Sequence, residues 1–133
     1  FKKVDQYNLM ENVHYKGIVK GKDKHDLFLK SDVFCFPSFF SSESFGIVLL
    51  EAMMYQMPLI ASRWRGIQSV VKNGVNGYLV DVQNSEQIAI ALELLYTNRN
   101  LLQTMSQKSR QIFCEEYVLS KYITRMEEAL NNI

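Results

Sequence analysis

Only two cysteines occur in the 133 residues, Cys35 within an apolar run and Cys114 within a helical pattern. They make neither a disulfide framework nor a metal-ligand spacing, and a reducing, cytoplasmic compartment is the simplest expectation. Net charge is nearly absent as well, at +1 with the lysines and arginines dispersed. That balance gives no long-range field for nucleic acid or for an anionic surface. No run approaches the roughly 20 apolar residues of a membrane span, and no basic, apolar leader is recognisable. No G-x-G-x-x-G follows a strand pattern, which argues against a dinucleotide-binding half-domain. His14 and His25 have no cysteine or carboxylate at ligand spacing, so no metal site is expected. The first residue is Phe1 rather than methionine, as expected of a piece of a longer polypeptide.

What is present is ordinary for one soluble globular domain: 47% hydrophobic and 22% charged residues over 1–133. A chain of this size buries roughly two thirds of its unfolded surface. Short apolar runs alternate with helical periods, which predicts βαβ units and a mostly parallel sheet, an α/β fold. Val13–Tyr15 reads as a first strand, Lys24–Lys30 as a short helix, and Asp32–Phe36 as a buried strand stopped by Pro37. A helix is expected over about 45–56, capped by Ser42 or Ser44. Strand 58–62, a short helix over 66–72 and strand 78–80 follow, with turns at Asn73-Gly74 and Asn76-Gly77. Three helices complete the chain, the first capped by Asn84 or Ser85. The last, from near Ser120, carries Tyr122, Ile123, Met126 and Leu130 on one face, for which docking on this domain is the default expectation.

The chemistry concentrates at residues 43–51. In open parallel sheets ligands collect beyond the carboxyl ends of the strands, where the loops after Gly17, Phe36 and Ser62 should converge. There the helix start offers the backbone N–H groups of Ser44, Phe45 and Gly46 at a positive end suited to phosphate, and Gly46 lets a ligand approach the backbone. Glu51 lies among apolar neighbours, where an unpaired carboxylate costs several kcal/mol, so a polar partner is required. Its eight-residue offset from Glu43 equals about 12 Å of ideal helix, a reach from one sugar across a diphosphate to another. A carboxylate accepts two hydrogen bonds side by side and fits vicinal hydroxyls. The competing use of Glu43 is a first-turn acid complementing the helix dipole, and that of Glu51 is a partly exposed helix residue paired to a lysine. Arg63, Trp64 and Arg65 could meet phosphate, stack on a sugar, face another domain or form a solvated loop.

Glu43-Ser44-Phe45-Gly46 followed by Glu51-Ala52 resembles the E-x7-E motif of family 4 glycosyltransferases, retaining enzymes of the two-domain GT-B fold. Glu11-Asn12-Val13 with Gly17, Asp32 to Ser38, Met57 to Ser62 and Gly74 to Val80 are similar to further elements of that family, in its order. The resemblance implies a Rossmann-like three-layer domain over residues 1–133, the C-terminal donor-binding part of such an enzyme without its N-terminal acceptor domain. It implies that Glu51 holds ribose hydroxyls and that Glu43, the catalytic candidate, holds a donor-sugar hydroxyl. The N–H groups of Phe45, Gly46 and Ile47 would face the sugar and diphosphate, while Ile18 and Val19 would lie beside the base. The implied reaction is retaining transfer from a nucleoside-diphosphate sugar, with no cofactor or metal, as in polysaccharide assembly. The full-length enzyme would act in the cytoplasm, with peripheral association at the inner face of a membrane. The family's basic pair for the diphosphate falls upstream of Phe1, so the fragment is expected to bind donor without catalysing transfer. The family often has Gly where Gln56 stands, and Pro-Glu where Gln68-Ser69 stand. A non-catalytic α/β binding or interaction module of the same fold is the alternative.

Overall fold

The computed structural model describes residues 2–131. The chain divides into two compact units, Phe1–Lys30 and Ser31–Ile133, each taken by itself below.

The first unit holds α1 (Lys2–Gln6), which the sequence reading did not expect, and α2 (Gly21–Leu29). Helix α2 begins three residues before the predicted start. Asp23 in its first turn complements the helix dipole, and the Lys22–Asp26 pair at 2.5 Å adds support one turn apart. The strand expected at Val13–Tyr15 does not form; the segment is exposed and, among the described residues, pairs with no strand. An extended segment is stable as a strand only where a neighbour satisfies its N–H and C=O groups, and residue pattern alone cannot supply that neighbour.

The second unit is built on three strands, β1 (Phe34–Phe36), β2 (Leu59–Ser62) and β3 (Gly77–Val80), in the order β1-β2-β3 and all parallel. Helix α3 (Ile47–Met54) connects β1 to β2, and the four-residue α4 (Ile67–Val70) connects β2 to β3. Every residue of β2 is buried, as a central parallel strand covered on both faces requires. Ile60 joins Val80, Ala91, Leu95 and Met105 in one cluster, packed by Val33, Tyr78, Ile88, Leu101 and Leu102. Strand alternation directs Leu59 and Ala61 to the opposite layer, where α3 contributes the buried Leu49, Ala52 and Met53. Leu49, Met53 and Leu59 each contribute about 1.5–3 kcal/mol by burial. Strand β1 is shorter than expected and Cys35 is exposed; among the described residues β2 is the one strand that pairs with β1.

Local chemistry sets the boundaries. Pro58 precedes β2, and the N–H of Phe34 donates to its carbonyl at 3.0 Å. Helix α3 ends in a Schellman arrangement: Gln56 N–H donates to Met53 O at 3.0 Å and Met57 N–H to Ala52 O at 3.1 Å. That closure places Gln56 at φ 61°, the conformation glycine takes most cheaply. Asn76 is fully buried; its Oδ1 accepts from Lys72 N–H at 2.7 Å and its Nδ2 donates to Val70 O at 3.2 Å, which fixes the turn into β3. Gly77 lies where a Cβ would meet Leu59 O at 1.9 Å. On the outer rim of β3, Leu79 N–H donates to Asn73 Oδ1 and Gly74 N–H to Gly77 O, both at 2.8 Å.

Asn84 caps α5 (Ser85–Thr97), accepting from Gln87 N–H at 3.0 Å, and Asn98 caps α6 (Arg99–Ile112) in the same way through Leu101 N–H. Helix α6 then widens into a π-turn, Phe113–Tyr117, and the chain turns at Val118 into α7 (Leu119–Asn131). No residue of α7 is buried, and Tyr122, Ile123, Met126 and Leu130 are exposed. Docking of that face on this domain, the default expectation, is therefore not observed. The π-turn and the extended Val118 redirect the chain so that the principal contact of α7 is with the π-turn itself.

Candidate functional site

The loops after β1 and β2 meet beyond the carboxyl ends of these strands. Phe40 O accepts from Glu43 N–H at 3.0 Å, closing a turn, and also from the Trp64 indole Nε1 at 3.1 Å. Gly66 approaches so closely that a Cβ on it would lie 2.0 Å from Ser44 O. The two loops are thus fastened at Phe40–Trp64 and Ser44–Gly66. Neither contact was foreseen from sequence; an isolated glycine after an Arg-Trp-Arg loop is the signal that could have pointed to the second. Arg65 lies over the Trp64 ring at 5.5 Å and Arg63 faces Asp81 at 3.6 Å, so both arginines are engaged within the chain.

Helix α3 begins at Ile47 rather than at residue 45, and its cap is Gly46, not Ser42 or Ser44. Gly46 has φ 74° and ψ 63°, a left-handed conformation that swings the chain from the loop into the helix. Its N–H donates to Glu43 Oε1 at 3.0 Å. A carboxylate therefore sits on the positive end of α3, where the dipole and the first backbone N–H groups of any helix favour an anion. Two expectations change with this geometry. Residues 43–46 are not helical, so the axial offset of about 12 Å that an ideal helix gives does not describe Glu43 and Glu51. The Gly46 N–H is occupied rather than open. The N–H groups of Ile47 and Val48 are the first of the helix and have no acceptor within it.

Glu43 and Phe45 are half-buried, Gly46 is buried, and Ser44 and Ile47 are exposed. Glu51, on the second turn of α3, is half-buried and not without an interaction partner. Phe45 meets the Tyr117 ring edge-on with centroids 6.2 Å apart, so its side chain packs within the chain. Ile18 and Val19 belong to the first unit; Ile18 is exposed, and Val19 lines a groove with Lys16, Asp23, Asp26, Leu27 and Lys30. Another groove, of about 510 Å³, lies away from this corner, at the amino end of β1, between Asp32, Tyr96 and Arg99. Among the described residues no group of three or more His, Cys, Asp or Glu side chains is placed to hold a metal ion. No helix among them is long and apolar enough to cross a membrane.

A family model described as glycosyl transferases group 1 matches residues 1–112. The chain is 32% identical over 123 residues to an N-acetyl-alpha-D-glucosaminyl L-malate synthase of Bacillus anthracis, covering 90% of this chain and 32% of that protein. It is 37% identical over 90 residues to a phosphatidyl-myo-inositol mannosyltransferase of Mycobacterium leprae, covering 68% of this chain and 24% of the other. The fold matches Anabaena Alr3699/HepE in complex with UDP at TM-score 0.87 and 22% identity, over 99% of this chain and 35% of that one. It also matches the C-terminal domain of the glycosyl transferase group 1 family protein LpcC from Francisella tularensis, at TM-score 0.79 and 25% identity, over 89% and 60% of the two chains.

Proposed function

Because this chain belongs to the group 1 glycosyl transferases, we propose that it is the part of such an enzyme that binds a nucleoside-diphosphate sugar for retaining transfer to an acceptor. The observation that carries the reading is the corner at Gly46, where the positive end of α3 already holds a carboxylate at 3.0 Å, beyond the carboxyl ends of parallel strands. A seat that accepts the carboxylate of Glu43 accepts a phosphate for the same electrostatic reasons. In this reading the diphosphate takes the Gly46 N–H, with those of Phe45 and Ile47 beside it, and releases Glu43 to a hydroxyl of the donor sugar. The helix end then stabilises the departing diphosphate as its charge grows. Glu51, one turn deeper, takes the ribose hydroxyls. No metal is required, since backbone dipoles supply the positive field.

The chain spans about a third or less of the curated relatives above, so the acceptor and the domain that holds it are assigned to the remainder of a longer enzyme. We place this part C-terminal, in keeping with the likeness to the LpcC domain. Action in the cytoplasm at a membrane face is part of the proposal, supported by a relative named for action on phosphatidyl-myo-inositol. Calorimetric titration of the chain with UDP, GDP and ADP tests the reading. One of the three is expected to bind, and Glu51→Ala is expected to weaken it roughly tenfold, as loss of hydrogen bonds to a charged group implies. Binding of none of them by a folded chain would instead favour a non-catalytic module of this fold.

A further inference from the structure

A third support reaches the Gly46 corner from the end of α6. That helix runs regularly to Ile112 and then widens into the π-turn Phe113–Tyr117. Such turns are rare, have poorer hydrogen bonding and persist where a local need holds them. Removing the extra residue would rotate the side chains that follow by about 100°, and Tyr117 would leave Phe45. With the extra residue in place, the two rings meet edge-on at 63° with centroids 6.2 Å apart, a favoured aromatic geometry. The π-turn is itself tied down next to the contact, at Glu116. Lys72, from the turn before β3, pairs with the Glu116 carboxylate, and Arg125 Nη1 of α7 donates to the Glu116 carbonyl at 3.2 Å. Helix α3 packs against the same turn. Burial, and then the nearby Glu116 carboxylate, push the Tyr117 phenol above its ordinary range, so the ring stays uncharged at neutral pH.

We propose that Tyr117 is a positioning residue for the Gly46 corner: its ring holds that of Phe45 and so fixes the direction in which the Gly46 and Ile47 N–H groups face a diphosphate. The identity of the ligand rests on the nucleotide-sugar reading above; the positioning is measurable without one. Sequence pattern gives no hint of it, because Tyr117 is 72 residues away from Phe45 and nothing in Phe-Cys-Glu-Glu-Tyr marks a π-turn.

The test compares the full chain with Tyr117→Phe and Tyr117→Ala, reading amide hydrogen exchange without ligand and the affinity for UDP. Loss of the ring pair, worth about 0.5–1.5 kcal/mol, predicts exchange at Gly46 and Leu49, the corner amides that hold hydrogen bonds, roughly twofold to tenfold faster in Tyr117→Ala, with Tyr117→Phe at the wild-type rate. Amides in α5 and in the body of α6 should stay unchanged, and UDP affinity should fall by the same factor in Tyr117→Ala alone. Unchanged exchange at Gly46 and Leu49, or equal acceleration throughout the unit, overturns the proposal. If Tyr117→Ala does not fold, Tyr117→Leu keeps the apolar volume without the ring edge and is read the same way. If UDP binds neither wild type nor variants, its use as the ligand fails, and exchange at Gly46 and Leu49 still decides the positioning.

Discussion

Gly66→Ala is the substitution from which the site geometry draws its largest expected effect. Gly66 has φ −68° and ψ −14°, a conformation alanine adopts without strain. With no close neighbour, the change would therefore stabilise the protein by about 0.4–1 kcal/mol through the unfolded chain. Here the new Cβ would lie 2.0 Å from Ser44 O and 3.3 Å from Phe45 Cα, both backbone atoms with no rotamer to escape into. Relieving that contact requires the two loops to separate by about 1 Å, an overpacking change that costs roughly 1–3 kcal/mol. The net expectation is a loss of about 1–2 kcal/mol in urea unfolding, together with weaker nucleotide binding because the displaced segment is the one leading into Gly46. Gly74→Ala is the control: Gly74 has φ 78° with nothing within 4 Å, so it reports the conformational cost of positive φ without a clash and should leave the corner intact. Stability and nucleotide affinity of Gly66→Ala both matching wild type would refute the close approach of the loops.

Gln56→Gly should stabilise the chain by about 0.5 kcal/mol, since relief of the left-handed conformation outweighs the added freedom of the unfolded chain; a lower melting temperature would contradict this. Asn76→Ala should cost about 2–3 kcal/mol in urea unfolding, because the buried turn loses an acceptor for Lys72 N–H and a donor to Val70 O. The Lys72 ammonium is held above its ordinary pKa, first by its hydrogen bond to Glu116. A raised folded pKa stabilises fully below the ordinary lysine value and is lost as pH rises through the folded one. The melting-temperature gap between wild type and Glu116→Gln should therefore close as pH passes beyond about 10.4, and a gap that widens would contradict the pairing.

The parallel α/β order was legible because Pro37, Pro58 and the Asn-Gly turns punctuate short apolar runs, and because a fully buried strand such as β2 reads as an uninterrupted one. Asn84 was legible as a cap for the same local reason. What depended on partners remote in sequence was not. Val13–Tyr15 has the composition of a strand without a neighbour among the described residues, and α7 has the stripe of a docked helix without a docked face. The start of α3 was misplaced by two residues because Gly46 takes a left-handed turn that Ser42 and Ser44, as sequence caps, do not announce. At the corner, the sequence pattern singled out residues 43–46 but not their backbone conformation. The fold of Glu43 back onto its own helix end was not legible, since it depends on the left-handed turn at Gly46 that brings this N–H to the carboxylate.

The Asn73 side chain and the Gly74 amide, which occupy the outward-facing Leu79 N–H and Gly77 carbonyl, give the sheet a direction of growth. With that flank sealed, a foreign strand has no ladder to join at β3, and among the described residues no strand pairs with the outer flank of β1. Any intermolecular β-pairing by this chain, whether productive assembly or aggregation, should therefore begin at Phe34–Phe36.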